Sequence, residues 1–184
     1  MLKAKLAMRL PNPDKLALVY YPDPALKRTC RPVTEFGPKL QTLTDRMLAL
    51  MREAKGVGLA APQLGLALRI FVCNPTGEPQ DDFVCVNPQF LELSGSTELP
   101  EGCLSLPGVS VTVRRAAHAR MQGFDVKGEA FEITGADLRA RIWQHETDHL
   151  DGRLIIDRMS AADEIANHRA LKQLQADYRP PRRR

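Results

Sequence analysis

Three stretches of the chain repeat apolar residues at the three- and four-residue spacing of an α-helix. The first spans 38–56, opening on a proline suited to a first turn and ending at a glycine. The second spans 134–152, and we expect the hydroxyl of Thr134 to cap its beginning while Asp137 completes a capping box. The third spans 160–178 and ends before two prolines, which cannot continue a helix.

Between the first two helices the pattern changes to short β-branched or alternating apolar runs separated by turn residues. The glycines and proline of 56–63 indicate a loop before them. Parallel strands need a long crossover between them, so clustered strands favour an antiparallel sheet. The order predicts a single α+β domain with mainly antiparallel strands, an N-terminal helix and a C-terminal helix. The predicted strands cover 68–74, 83–87, 109–115, 117–126 and 129–134.

The composition excludes several classes of protein. Of the 184 residues, 43% are hydrophobic and 26% are charged, which is close to a globular average and argues against disorder. No apolar run approaches the ~18 residues of a membrane helix, so we expect no membrane partner. The net charge is +4, and four arginines lie in 179–184. A basic nucleic-acid-binding surface over the whole body is therefore not expected, although this tail can contact an acidic partner such as RNA.

The cysteines indicate a reducing compartment. A chain of this length can build an apolar core without disulfides, so Cys30, Cys73, Cys85 and Cys103 are expected to be reduced thiols. The first ten residues lack the roughly 7–15-residue apolar stretch of a secretory signal. We therefore expect a cytoplasmic protein, with an organelle-targeting segment at the N-terminus as the alternative.

The strongest chemical signal is an HExxH pattern in the second predicted helix. His145 and His149 are four residues apart, so both imidazoles lie on one helix face and can reach one metal ion, with Glu146 beside them to carry protons. Leu138 and Ile142 fall on the same stripe, which predicts that this face points into the protein. The alternative is a chance HExxH on an ordinary amphipathic helix.

Two histidines leave a metal under-coordinated, so a third ligand is needed. A third histidine six residues after the second is excluded, because that position is Ile155. Glu164 is available on the following helix, as in thermolysin-like sites, although an acid there also suits a helix N-terminus. Cys103 is the remaining candidate, since it lies between turn residues whereas Cys73 and Cys85 lie in apolar runs. One thiolate and two imidazoles leave a fourth position open, which is typical of catalytic sites.

Three separated motifs resemble those of the peptide deformylase family. They are GVGLAAPQ at 56–63, EGCLS at 101–105 and QHETDH at 144–149. The likeness extends from about YPDP at 21–24 to LIIDRM at 154–159.

The resemblance also divides the chain. It implies an N-terminal extension over 1–15, a deformylase-like catalytic domain over 16–178 in which strands pack around a central metal-binding helix, and a basic C-terminal tail over 179–184.

The resemblance implies a role for each motif residue. Cys103, His145 and His149 would bind one divalent metal ion, Fe²⁺ in the working enzyme with Zn²⁺, Ni²⁺ or Co²⁺ as substitutes, and the donor set alone indicates a divalent ion of borderline softness. Glu146 would act as general base and acid. Gln63 and the backbone N–H of Leu104 would stabilise the oxyanion.

The implied reaction is removal of the formyl group from the formyl-methionine of newly made polypeptides, which releases formate during protein biosynthesis and N-terminal methionine processing. Gly58 and Val57 would offer backbone groups to the extended peptide, and Leu138 would help to line a pocket for the methionine side chain. The ribosome is an expected partner through the C-terminal helix and the arginine tail.

One position departs from the family pattern. Some members carry an arginine seven residues after the ligand cysteine, and this chain has Ser110 there. Arg114 or Arg115 can replace it, or both can be solvated strand ends. His118 and His168 have no partner at metal-ligand spacing and are expected to be ordinary surface or core residues.

Two other functions remain open from the sequence. One is a metallopeptidase with His145, His149 and Glu164 as ligands. The other is a non-catalytic protein whose metal is structural or whose tail binds RNA. Glu146 and Gln63 argue against the second, because a closed structural site needs neither a base nor an oxyanion donor.

Overall fold

Three helices and seven strands make up the computed structural model, which describes residues 10–180. The helices are α1 (Pro38–Glu53), α2 (Asp137–Leu150) and α3 (Ala161–Asp177). The strands are β1 (Gly58–Ala60), β2 (Ile70–Cys73), β3 (Phe83–Ser94), β4 (Thr97–Glu101), β5 (Val111–Arg115), β6 (His118–Phe124) and β7 (Ala130–Ala136). The predicted extension over 1–15 and the tail over 179–184 lie partly outside the described residues.

The strands form two antiparallel sheets. One has five strands in the order β1-β2-β3-β6-β7, and the other is the β4–β5 hairpin. Every pairing between these strands is antiparallel. The predicted α+β class with mainly antiparallel strands is therefore confirmed. Among the helices of residues 10–180, none combines the length and apolar character that a bilayer crossing requires.

Strand β2 explains why α2 is central. Successive side chains of a strand point to opposite faces, and all four residues of β2 are buried. Ile70 and Val72 pack with the apolar side of α1, whereas Phe71 and Cys73 pack with α2. The two helices therefore cover opposite faces of the sheet. A third apolar cluster joins β5 to the segment between α2 and α3 and to α3 itself.

The helix boundaries were predicted well at α1 and α3 but not at α2. Ser160 caps α3 and forms the predicted capping box with Asp163. Thr134, by contrast, does not cap α2. It lies in β7 opposite Arg120, and β7 continues to Ala136 through its ladder with β6. Pairing with a neighbouring strand outweighs the local capping signal there, so α2 begins at Asp137 without a side-chain cap.

Two strands were missed by the sequence analysis. Part of the predicted loop over 56–63 is β1, which pairs with β2. Strand β4 was not predicted at all, and β3 extends seven residues beyond the predicted 83–87 to Ser94. These segments become strands through pairing with distant parts of the chain. The four cysteines are free, as expected, and Cys30, Cys73 and Cys85 are buried.

Gly135 lies in β7 where the strand packs against Trp143 of α2. A Cβ at position 135 would come within 2.7 Å of two ring carbons of this fully buried tryptophan. We expect Gly135→Ala to lower the free energy of unfolding by about 1–3 kcal/mol, which corresponds to a Tm lower by roughly 2–4 °C per kcal/mol. Thermal melting measures this, with Thr134→Val at the exposed neighbouring position as control. Equal Tm values for the two variants would contradict this packing argument.

Candidate active site

Helix α2 and the end of β4 bring three metal-ligating side chains together. His145 and His149 lie one turn apart on α2, with ring centroids 5.0 Å apart. Cys103 lies two residues after β4, and its Sγ is 3.3 Å from Nε2 of His149. The ligating atoms of the three residues all lie within 4.8 Å of one another, and no other such group occurs among residues 10–180.

These three side chains fit a single metal ion. Two donor atoms bound tetrahedrally at about 2.0–2.3 Å from an ion such as Zn²⁺ are roughly 3.5 Å apart, close to the observed sulfur–nitrogen separation. Burial and the nearby charges of His145 and Arg115 lower the pKa of His149 well below its ordinary value. The ring is therefore neutral at neutral pH, which is the form that binds a metal.

The carboxylate of Glu146 lies beside these ligands. The residue is buried, and within the part of the chain that the structure describes its Oε2 has no hydrogen-bond partner. Burial raises the pKa of Glu146 to about 7. A carboxyl group that gains and loses a proton near neutral pH suits general acid–base catalysis.

Gln63 is held in one orientation by hydrogen bonds at both ends of its amide. Its Oε1 accepts from the backbone N–H of Ala60 at 2.8 Å. Its Nε2 donates to Sγ of Cys103 at 3.6 Å and to Oγ of Ser105 at 3.3 Å. The donor end of the amide therefore faces the ligand cysteine.

A buried carboxylate holds the other side of His145. Glu101, the last residue of β4, lies 3.0 Å from Nδ1 of His145. It also accepts two hydrogen bonds from Arg115, at 3.0 and 2.9 Å. Burial alone would raise the pKa of Glu101, but hydrogen bonds from His145 and Arg115 lower it to about 2. An ionised acceptor on Nδ1 leaves Nε2 free to bind a metal, as partners of metal-binding histidines commonly do.

The sequence analysis missed this support, and of the two alternatives that it left open for Arg115, the solvated strand end is wrong. Arg115 is buried and also pairs with Asp148, whereas Arg114 is the exposed strand residue. The available signal was the alternation of β5, in which Val111, Val113 and Arg115 share the buried face. An arginine at the inward position of such a strand indicates a buried acidic partner.

The site opens into a cavity of about 440 Å³. All predicted site residues except His149 line it, and His149 is buried behind them. Ile142 is buried as the helix stripe predicted, but Leu138 is 49% exposed and forms part of the rim. The expectation that the whole stripe points into the protein is therefore wrong at the first turn of α2, where the cavity opens.

The remaining candidates lie away from this cavity. Glu164 is exposed near the beginning of α3 and is not part of the Cys–His–His group. Ser110 is exposed, and its backbone N–H and C=O pair with Asn167 of α3. His118 and His168 are exposed. The geometry does not favour the metallopeptidase alternative with Glu164 as a ligand.

Comparison with known proteins decides the family. A family model described as polypeptide deformylase matches residues 15–164. The chain belongs to the peptide deformylase family. The peptide deformylase of Acidobacterium capsulatum is 41% identical over 160 residues, which cover 86% of this chain and 94% of that protein.

Solved structures agree with this assignment. A peptide deformylase from Legionella pneumophila has a TM-score of 0.82 at 41% identity and covers 89% of this chain and 99% of its own. A peptide deformylase from Plasmodium falciparum has a TM-score of 0.85 at 36% identity and covers 88% of this chain and 96% of its own. The family resemblance and the fold class are confirmed. As a family member, the protein is a hydrolase that removes the formyl group from an N-terminal methionine.

Gly58 of β1 faces the Glu146 carboxylate closely enough that a Cβ at this position would overlap Oε1 and would come within 3.0 Å of Ile142. We expect Gly58→Ala to displace the carboxylate and to lower formate release from a formyl-methionyl peptide about 100-fold, since misplacement by ~1 Å can have that effect. The three atoms nearest to the added methyl group belong to Glu146 and Ile142 and not to the proposed metal ligands, so metal content should be unchanged. Wild-type turnover in a folded, metal-loaded Gly58→Ala variant would contradict the close approach.

Proposed function

We propose that the protein hydrolyses the formamide bond of N-formyl-methionyl polypeptides in this cavity, with one divalent ion held by Cys103, His145 and His149. The observation that carries this proposal is the buried Glu146 carboxylate, which has a free acceptor oxygen beside three converging metal-ligating atoms. The ion would supply Lewis acidity and make water nucleophilic at neutral pH.

Glu146 would carry the proton through the reaction. Its carboxylate takes a proton from the attacking water, and a tetrahedral intermediate forms at the formyl carbon. Glu146 then returns the proton to the leaving nitrogen, so the carbon–nitrogen bond breaks to give formate and a free N-terminal amine. Its pKa near 7 places both protonation states within reach at neutral pH.

Two donors would stabilise the charge that develops on the formyl oxygen. The Gln63 amide is fixed by Ala60 with its N–H groups toward the ligand cysteine. The backbone N–H of Leu104 is the second proposed donor, since Leu104 follows the ligand cysteine and lines the same cavity. Neutral donors suit this task because they do not remove a proton from the reacting groups.

The rim of the cavity would bind the peptide. Val57, which precedes the edge strand β1, and Gly58, the first residue of that strand, would offer backbone hydrogen bonds to an extended chain. Val57 is 45% exposed and Leu138 is 49% exposed, so both apolar side chains are accessible from solvent. Together with Ile142, Leu138 would contact the methionine side chain.

The proposed working metal is Fe²⁺, with Zn²⁺, Ni²⁺ or Co²⁺ as substitutes, because one thiolate and two imidazoles suit divalent ions of borderline softness. Anaerobic purification with metal analysis should find one divalent ion per chain. A formyl-methionyl peptide should then release formate, whereas its acetylated counterpart should be left intact. Purified protein that contains no metal and releases no formate after loading with Fe²⁺ or Co²⁺ would overturn the proposal.

Gln63→Leu tests the oxyanion assignment. Loss of one positioned donor lowers turnover by on the order of 100- to 1,000-fold, and we expect kcat to fall in this range while metal content stays at the wild-type level. Steady-state formate release and metal analysis measure the two effects. A leucine at this position removes the amide donor and leaves an apolar side chain that is one atom shorter. Normal kcat in this variant would show that Gln63 is not the donor.

The proposed location is the cytoplasm, and the free state of all four cysteines supports a reducing compartment. Ribosome association through α3 and the arginine tail stays a prediction. Arg179 lies within the described residues, where its side chain donates to backbone oxygens of Ala176 and Tyr178. Residues 181–184 of the tail lie outside them.

A further inference from the structure

Arg141 lies on α2 one turn before His145 and contacts the same carboxylate from the other side. It is 7% exposed, and its Nη1 donates to Oε1 of Glu101 at 2.7 Å. Oε2 of that carboxylate faces Nδ1 of His145 at 3.0 Å. The helix therefore holds Glu101 between two of its own side chains, a guanidinium and the ring of a proposed metal ligand.

The first arginine on Glu101 is shared with a second carboxylate, Asp148, which Arg158 also contacts. Arg115 donates to both oxygens of Glu101 and also to Asp148. Its charge is therefore divided between two buried or partly buried carboxylates. Within residues 10–180, Glu101 is the carboxylate with which Arg141 forms an ion pair, so this pair adds to the one that Arg115 makes.

Arg141 also fixes where the carboxylate points. Its Nη2 donates to Oγ1 of Thr97 at 2.6 Å and to the backbone oxygen of Thr97 at 3.3 Å, while its Nη1 donates to the backbone oxygen of Val113 at 3.0 Å. A planar guanidinium whose two terminal nitrogens are both hydrogen-bonded has one position, so its hydrogen bond to Glu101 has one direction. The Glu101 oxygens are thereby held at fixed positions relative to α2.

We propose that Arg141 is a positioning residue that acts through Glu101 to orient His145 for metal binding. This inference rests on the proposed metal site at Cys103, His145 and His149. A histidine whose second nitrogen loses its oriented partner binds metal more weakly, typically by about 10- to 100-fold. Arg141 would thus control metal affinity without contacting the ion.

A purely structural role is the competing explanation. The same side chain ties α2 to both strands of the β4–β5 hairpin, so its removal would also weaken that packing. Metal affinity separates the two roles, because loosened packing lowers the Tm whereas a misoriented ligand lowers the affinity for the ion. The absorption bands of bound Co²⁺ report the ligand geometry independently of activity.

The experiment titrates metal-free wild type and Arg141→Leu with Co²⁺ in competition with a chelator. We expect the Kd of Arg141→Leu for Co²⁺ to rise at least tenfold, with altered absorption bands. The control Arg139→Leu, which removes an exposed arginine from the same helix, should keep the wild-type affinity. Wild-type affinity and spectrum in folded Arg141→Leu would overturn the proposal.

Combination with Glu101→Gln tests the route of the effect. If Arg141 acts through the carboxylate, Arg141→Leu should change the Kd by less than about twofold once Glu101 has been replaced, because coupled residues are not additive. A full tenfold effect in the Glu101→Gln background would overturn the route through Glu101.

Arg141→Lys covers the case in which Arg141→Leu does not fold. Lysine keeps the charge but loses the planar fork, so we expect a Kd several-fold above that of wild type at a similar Tm. Wild-type affinity in Arg141→Lys would overturn a role that depends on orientation.

The formate release and the metal content of the wild-type protein are measured in parallel. Their loss would contradict the proposed function, whereas intact wild-type activity with an unaffected Arg141→Leu would contradict the role of Arg141 alone.

Discussion

Helix α2 carries many polar side chains into the interior, and the surrounding elements give several of them partners. A buried polar group without a partner costs about 1–3 kcal/mol, so donors and acceptors from neighbouring segments stabilise this helix in its central position. The β4–β5 hairpin supplies the Glu101 carboxylate and backbone oxygens, and the backbone of Ala116 pairs with Gln144. The buried polar residues of α2 are Arg141, Gln144, Glu146, Thr147 and His149.

Within residues 10–180, the buried side-chain polar atoms that lack a hydrogen bond all lie on α2. Two of them belong to site residues, Oε2 of Glu146 and Nδ1 of His149, and the other two are Nε1 of Trp143 and Oγ1 of Thr147. By contrast, Nδ1 of His145 and both nitrogens of the Arg141 fork are engaged. The fold thus satisfies the groups that orient the site and leaves an oxygen of the proposed proton carrier available. Unpaired buried polar atoms are expected at a site where a protein must bind and convert a substrate.

Local signals predicted the parts of the site that lie close together in the chain. The four-residue spacing of His145 and His149 determines a shared helix face whatever the rest of the fold does. The first residues of α1 and α3 follow from Pro38 and from the capping residue Ser160, which are also local signals. Contacts between distant segments could not be predicted in this way. Strand β1 is three residues long and exists through its pairing with β2, and Thr134 joins β7 because β6 lies beside it.

The contact of Glu101 with His145 depends on the register of the β4–β5 hairpin, and apolar side chains determine that register. Val111 and Val113 are buried and Thr112 is exposed, which sets the face of β5 that points inward. The same alternation turns Arg115 toward Glu101. A shift of one residue in this pairing would move the valines and the arginine to the solvent face together. The burial of two valine side chains therefore stabilises the register that orients a charged network, and through it the ring of a proposed metal ligand 30 or more positions away in the chain.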